Sequence, residues 1–178
     1  GITSFSLGLV GELVKMTDLS VLVCSAEQVA LLPKGVNTLM ATDPTSVKEL
    51  FLAIKLRKEN IEYLVSPMQT TSSIGRNFKL ALTLHDMIYY RHRRPPRALS
   101  WPVRAIWWLF HLSYAPQRFL LNRADLLLTV PETSRRQISA ARLTKRPIEV
   151  IGNATELEPN MPHGNHSDSR YLVYMGSF

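Results

Sequence analysis

The run of residues 79–86, KLALTLHD, constrains the fold of this chain more than any other stretch. Five apolar or β-branched residues, Leu80 to Leu84, follow one another without a break and lead into His85 and Asp86. An unbroken apolar run of this length is typical of a strand buried on both faces of a parallel sheet. Ligands of open α/β sheets bind beyond the carboxyl ends of the strands, so His85 and Asp86 would face whatever binds there. The alternative is that His85 only hydrogen-bonds to a neighbouring loop and caps the strand.

Strand and helix patterns alternate along the chain. They predict strands at 19–25, 35–40, 61–65, 80–84, 124–130 and 148–151, and helices at 1–15, 43–58, 131–143 and from 100 to a break or kink at Pro116. The segment 66–75 is small and polar and predicts a flexible loop, and residues 91–97 predict an exposed basic loop. This order predicts an α/β fold with a mostly parallel sheet and helices on its faces.

Length and composition limit the number of domains. A chain of 178 residues can bury one sizeable core, so we expect one domain and a fragment of a second. Cys24 is the only cysteine, which excludes an internal disulfide. No apolar segment of these residues is long enough to span a bilayer, and we expect no signal peptide. Because the chain opens on Gly1, we expect it to be a piece of a longer protein.

Positive charge is concentrated in one region. Between Arg91 and Arg146 there are twelve Lys and Arg residues and two acids, Asp125 and Glu132. Such a region favours an anionic partner, namely nucleic acid, acidic lipid head groups or a phosphorylated substrate. The alternative is an ordinary solvated surface that is rich in arginine.

The helix that begins near Ser100 has almost no polar face. Only Arg104 and His111 interrupt its apolar and aromatic residues. Such a helix is either buried nearly all round, which is the interpretation we favour, or lies with one face in a lipid interface, where Trp and Arg occur together.

Six motifs in order carry a resemblance to a known family. They are the glycine-led first helix, the strand that ends in residues 83–86 (TLHD), the basic helical stretch, residues 124–130 (ADLLLTV) followed by a helix opened by Glu132, residues 148–153 (IEVIGN), and residues 171–177 (YLVYMGS). This succession resembles the N-terminal, acceptor-side half of a retaining GT-B glycosyltransferase of family four, a group that includes bacterial mannosyl- and glucosyltransferases. The resemblance covers almost the whole chain.

The resemblance implies roles for particular residues. Gly1, Ile2 and Thr3 would approach the donor diphosphate, and His85 would contact the donor sugar and support the transition state. Asn153 would mark the hinge, and Gly176 would be the phosphate-proximal glycine of the donor-binding domain. The residues expected beside the acceptor are Asp86, Glu132 and Ser134, with the acceptor lying against loops such as 66–75.

The resemblance also divides the chain into three parts and sets the expected partners. Residues 1–153 would form the Rossmann-like acceptor-side domain, 154–170 the linker, and 171–178 the first strand of a truncated donor-binding domain. The substrates would be a nucleotide-diphosphate sugar and a glycan or lipid-linked acceptor, with no cofactor and no metal. We expect the protein in the cytoplasm, with peripheral contact with the anionic inner face of the plasma membrane.

Departures from the family pattern set further expectations. Pro131 stands where the family has a helix-opening serine, and Asn153 is followed by Ala154 where the family has glycine. The family's first, central strand would precede Gly1, and its donor-binding domain would follow Phe178. We therefore expect the chain alone to be inactive, and a homo-oligomer could complete its sheet, because a missing central strand exposes two edges.

Other readings of the sequence remain open. The basic region could belong to a nucleic-acid-binding module, although exposed aromatic residues do not alternate with arginine outside the Trp-rich helix. A nucleotide-sugar epimerase or a non-catalytic relative on the same architecture would carry its signature outside these residues. His85, His163 and His166 could form a metal site, but their spacing is not that of a known ligand set.

Overall fold

The computed structural model describes residues 2–42, 46–96 and 99–152. The helices are α1 (Ile2–Leu13), α2 (Ala26–Ala30), α3 (Leu52–Leu56), α4 (Ile88–Arg91), α5 (Trp101–Phe110), α6 (Ala115–Leu121) and α7 (Glu132–Ala140). The strands are β1 (Ser20–Val23), β2 (Asn37–Met40), β3 (Tyr63–Ser66), β4 (Lys79–Thr83), β5 (Leu126–Thr129) and β6 (Ile148–Val150). Short 3-10 helices, Val47–Phe51 and Arg57–Glu59, flank α3.

All strand pairs in the described residues are parallel. The larger sheet has the order β3-β4-β5-β6, with Ala81 opposite Leu126 and Leu127 opposite Ile148. Parallel strands all begin at the same edge of the sheet, so the chain must cross back over the sheet after each strand. The helices lie in these crossover connections and cover the sheet. The predicted α/β, Rossmann-like class, with a parallel sheet flanked by helices, is confirmed.

Strands β1 and β2 form a separate parallel sheet of two strands. Both sheets meet one apolar cluster, whose buried members are Leu52, Ala53, Leu56 and Phe78 and whose half-buried members include Leu22 of β1 and Leu64 of β3. Helix α3 therefore joins the smaller sheet to the larger one.

The main core lies against β4 and β5. Its fully buried members come from the two strands, from α6 and α7 and from the turn after α7, and they include Leu80, Leu82, Leu127, Leu121, Ile138 and Leu143. The unbroken apolar runs explain this burial, because most residues of β4 and β5 are buried or half-buried, as is typical of the inner strands of a parallel sheet. Within the described ranges, no helix is long and apolar enough to cross a membrane.

Several helix boundaries differ from the predicted ones. The predicted helix 43–58 is divided between α3 and the two 3-10 turns, with the Ser46 side chain accepting from the Lys48 N–H at the start and Asn60 in the left-handed region at the end; residues 43–45 are outside the described ranges. Pro116 lies in the first turn of α6, so the predicted break falls before it, at 111–114. Helices α2 and α4 were not predicted, because each is too short to show a helical period.

The prediction that the Trp-rich helix is buried nearly all round is wrong. No residue of α5 is buried, and Trp101 and Ile106 are 76% and 66% exposed. Periodicity identifies the faces of a helix but does not say which of them the rest of the protein covers. In this helix the stripe with Arg104 and His111 faces the protein.

Candidate functional site

The candidate site is centred on His85, at the carboxyl edge of the larger sheet. Strand β4 ends at Thr83, and the Leu84 N–H still donates to the Leu128 carbonyl at 2.9 Å. His85 follows directly, and its Nε2 lies 3.0 Å from the Pro67 carbonyl oxygen. A carbonyl only accepts, so Nε2 carries the hydrogen, and in the neutral ring Nδ1 is left as an acceptor. The contact with a neighbouring loop is therefore present, and one ring nitrogen remains for a ligand.

Two helices reach His85 from either side. The Phe5 ring, in the second turn of α1, meets the imidazole edge to face at 5.1 Å between centroids. The Ser134 hydroxyl, in the first turns of α7, donates to the His85 carbonyl oxygen at 3.1 Å, and Ser134 is 4% exposed. These contacts bring the N-terminal ends of α1 and α7 to the same histidine, so both helix dipoles present their positive ends near it.

Two buried threonines tie the strand ends together beneath the histidine. Thr83 Oγ1 donates to the Ser66 carbonyl at 2.7 Å, and Thr129 Oγ1 donates to the Leu84 carbonyl at 2.7 Å. Both threonines are buried, so each hydroxyl needs an internal partner. The bonds link β3 to β4 and β5 to the residues after β4, which fixes the backbone on which His85 stands.

The loop 66–75 is held by side-chain hydrogen bonds along its length. Ser66 Oγ and Thr71 Oγ1 are 2.6 Å apart, and Ser72 Oγ donates to the Leu50 carbonyl at 2.7 Å. Gln117, fully buried in α6, donates through Nε2 to Gln69 Oε1 at 2.7 Å. The loop predicted as flexible is thus anchored to three parts of the domain, and its Pro67 carbonyl orients the His85 ring.

The two carboxylates that the sequence placed near the site have local partners. Asp86 Oδ1 accepts from the Ile88 N–H at 2.9 Å, which caps the start of α4. Glu132 is paired with Arg135 at 2.6 Å and with Arg136 at 3.5 Å. The Arg135 hydrogen bond is the main cause that lowers the pKa of Glu132. Glu132 therefore stays ionised at the N-terminus of α7, and the second oxygen of Asp86 is left for solvent or a ligand.

Only some of the remaining predicted site residues lie in the described part of the chain. Ile2 begins α1, and Thr3 is exposed in the first turn, two residues before Phe5, whose ring contacts His85. Gly1, Asn153 and Gly176 lie outside the described residues, as do the predicted boundaries at 153–154 and 170–171. In the described ranges no group of three His, Cys, Asp or Glu side chains could hold a metal; His163 and His166 are outside them.

Asp125, part of the motif at 124–130, lies at the opposite edge of the sheet. Its carboxylate accepts from the Leu80 N–H at 2.8 Å and pairs with Arg76 at 2.6 Å. Arg76 also donates to the carbonyls of Phe78 and Arg123. Burial alone would raise the pKa of Asp125, but the hydrogen bonds and charges of Leu80, Arg76 and Lys79 together lower it. This residue closes the amino edge of the sheet and is remote from His85 in the fold.

Sequence patterns did not single out Phe5, Pro67, Thr83 or Thr129 as parts of the site. The two threonines had a detectable signal, because each is the one hydroxyl at the end of an otherwise apolar strand. Phe5 and Pro67 meet His85 only through the tertiary fold.

Comparison of the chain with family models, with curated proteins and with solved structures gives no match.

Proposed function

We propose that this chain is the acceptor-side half of a retaining glycosyltransferase of the GT-B type. The intact enzyme would transfer a hexose from a nucleotide-diphosphate sugar to a glycan or lipid-linked acceptor. By the resemblance, this hexose would be mannose or glucose. The observation that carries the proposal is the His85 ring, whose Nδ1 is left as an acceptor at the carboxyl edge of a parallel sheet, between the N-terminal ends of α1 and α7.

The chemistry of such a transfer fits these groups. Negative charge builds on the diphosphate leaving group as the bond to the sugar breaks, and the free N–H groups in the first turn of α1 are suited to receive it. His85 Nδ1 would accept a hydrogen bond from a hydroxyl of the donor sugar and fix its orientation. Ser134 would act as a positioning residue, because its hydroxyl already donates to the His85 carbonyl.

The acceptor would lie on the same edge. The exposed carboxylate of Asp86 and that of Glu132 could accept hydrogen bonds from acceptor hydroxyls, and the loop 66–75 would form one wall. The scheme uses no metal, and the nucleotide sugar is a substrate and not a cofactor. Transfer would need the donor-binding domain, so we propose that the chain alone binds donors weakly and does not turn them over. We also propose that the transfer takes place in the cytoplasm at the inner face of the plasma membrane, because the donor would be a cytoplasmic nucleotide sugar and lipid-linked acceptors lie at the membrane.

Saturation-transfer NMR on the ligand tests the proposal, because it detects weak binding. UDP-glucose, UDP-galactose, GDP-mannose and the corresponding free nucleotides would be compared at equal concentration. We expect one donor to receive saturation on its sugar protons, with a clear loss in His85→Gln and no loss in the matched variant His92→Gln, which changes an exposed histidine outside the site. Equal saturation of the sugar protons in both variants, or no binding of any nucleotide sugar, would refute the proposal.

A further inference from the structure

Helix α5 is turned with Arg104, Trp107 and His111 towards the protein and with most of its other apolar residues towards solvent. His111, directly after the helix, is 5% exposed, and the Arg104 Nε is buried without a hydrogen-bond partner among the described residues. The exposed residues are apolar: Trp101, Val103, Ile106, Trp108, Leu109 and, just past the helix, Leu112. This is the reverse of the arrangement in an ordinary surface helix, which buries its apolar stripe.

The orientation of α5 is fixed by specific contacts. The Trp107 and His111 rings stack at 3.9 Å between centroids, and His111 Nδ1 lies 2.7 Å from the Trp107 carbonyl oxygen. Tyr89 of α4 packs edge to face on Trp107 at 5.1 Å, and Tyr90 meets His111 at 5.0 Å. The inward stripe is therefore packed and hydrogen-bonded, and the apolar side cannot turn inward without breaking these contacts.

Several large apolar side chains of α4 and α5 are exposed to solvent. A tryptophan side chain covers roughly 200 Å², so the 76% exposure of Trp101 leaves on the order of 150 Å² of one residue in solvent. Ile106 and Leu109 are 66% and 58% exposed, and Ile88 and Tyr89 of the adjoining α4 are about half exposed. A contiguous apolar patch of more than a few hundred Å² marks an interaction site.

The charges beside this patch have one sign. From Met87 to Arg123 the sequence has seven arginines and no acidic residue. Arg91, at the end of α4, and Arg93 and Arg94, which follow the helix, are exposed. None of them forms an ion pair within the part of the chain that the structure describes. Such a surface is complementary to an anionic partner that also accepts aliphatic and indole side chains.

We propose that this α4–α5 surface (Ile88, Tyr89, Arg91, Arg93, Arg94 and the exposed side of α5) binds the surface of an anionic lipid bilayer. Trp101, Ile106 and Leu109 enter the boundary between head groups and acyl chains, and the arginines contact lipid phosphates. A helix of ten residues is about 15 Å long, so it lies along the interface. Nucleic acid is a poorer fit, because it takes up stacked aromatic rings and leaves Val103, Ile106 and Leu109 in water.

Intrinsic fluorescence gives a direct readout, because all three tryptophans of the chain, Trp101, Trp107 and Trp108, are in α5. The unlabelled chain would be titrated with vesicles of phosphatidylcholine alone and of phosphatidylcholine with 30 mole per cent phosphatidylglycerol. We expect a blue shift and quenching by brominated acyl chains with the anionic vesicles only, and weaker binding as salt is raised. Co-sedimentation gives the partition coefficient.

Two pairs of variants separate the charge from the apolar contact. Arg93→Gln with Arg94→Gln should lower the partition coefficient by about fivefold per arginine, whereas Arg57→Gln with Lys58→Gln removes the same charge elsewhere and should change it little. Ile106→Ser with Leu109→Ser should abolish the blue shift. The matched change Phe51→Ser, at another exposed apolar residue, should not. Circular dichroism is expected to be unchanged in all of them, since every altered side chain is exposed.

Three results would overturn the proposal. One is binding that does not depend on lipid charge or on these variants. Another is a dimer in size-exclusion chromatography that Ile106→Ser with Leu109→Ser dissociates, without vesicle binding, which would make this surface a contact with a second copy. A third is tight RNA or DNA binding that the same arginine variants weaken, with no vesicle binding. The proposal rests on α4 and α5 alone, so its outcome is independent of the glycosyltransferase proposal.

Discussion

Replacing Asp125 by Asn should destabilise the chain far more than its position near the surface implies. The carboxylate accepts from the Leu80 backbone at 2.8 Å and from Arg76 at 2.6 Å, and the side chains of Arg76 and Asp125 are only 19% and 30% exposed. Both contacts go to Oδ2, so the carbonyl oxygen of an asparagine can still accept from both donors. The amide carries no charge, however, so the half-buried Arg76 guanidinium loses its counter-ion, and the N–H₂ group takes the place of the oxygen that faces Lys79 Nζ.

The magnitude follows from these contacts. A hydrogen bond to a charged group contributes about 1.5–3 kcal/mol, and partial exposure to solvent reduces the charge term. We therefore expect Asp125→Asn to lower the free energy of unfolding by about 2 kcal/mol, which for a domain of this size corresponds to about 4–8 °C in Tm. The control is Glu12→Gln, which makes the same chemical change in the exposed pair with Lys15 and should leave Tm within error.

The pH dependence gives an independent check on Asp125. Its pKa in the folded chain lies below the ordinary value of 3.8, so its contribution is complete above that value and is lost as pH falls through the folded pKa. The difference between the native chain and Asp125→Asn in urea unfolding should be constant near neutral pH and shrink below about pH 4. A difference as small as that of Glu12→Gln, or one that does not change with pH, would refute the reasoning.

Three further changes test other parts of the structure. Ser134→Ala removes the donor to the His85 carbonyl and should lower the free energy of unfolding in urea by about 1 kcal/mol. Ser139→Ala, at an exposed serine on the same helix, should not lower it measurably. Equal losses of stability in the two variants would contradict the role of Ser134. Val65→Lys places a charge at an exposed position of β3, which is an edge strand of the larger sheet. If two copies pair through this edge, the charge should reduce the self-association measured by light scattering. Unchanged association would exclude that pairing. Burial, aided by Tyr114, raises the pKa of Tyr90 to about 12, so this phenol stabilises the folded state below pH 10 and loses that contribution as pH rises towards 12. Tyr90→Phe should therefore remove the last step of the absorbance titration at 295 nm and flatten the alkaline loss of stability. An unchanged last step would contradict the raised pKa.

Much of the fold could be predicted because local patterns determine it. The apolar runs that end at Thr83 and Thr129 are strands of a parallel sheet, and the residues after them lie at its carboxyl edge, as predicted. The patterns could not show how α5 is turned. Its outward side depends on the stacking of His111 on Trp107 and on the packing of Tyr89, which are contacts between elements and leave no period in the sequence.

The candidate site was predictable only at its centre. His85 stands out because it follows a buried strand, whereas Phe5 and Pro67 reach it through the path of the chain in space. Asp86 and Glu132 were expected beside the acceptor because of the family resemblance, and the structure gives both of them local partners as well. The short spacing between Asp86 and Ile88 contained that capping signal, since an Asp two residues before a free N–H is a common start of a helical turn.

The protonation of the His85 ring tests the central proposal most directly. Selective labelling of the histidine rings with ¹⁵N would show Nε2 as the protonated nitrogen in the free chain, held by the Pro67 carbonyl, and Nδ1 as the bare one. On titration with the nucleotide-diphosphate hexose that binds best, the Nδ1 resonance of His85 should shift as it accepts a sugar hydroxyl, and the free nucleotide should leave it in place. A shift with the free nucleotide alone, or an Nδ1 that does not respond to any nucleotide sugar that binds, would contradict the role assigned to His85.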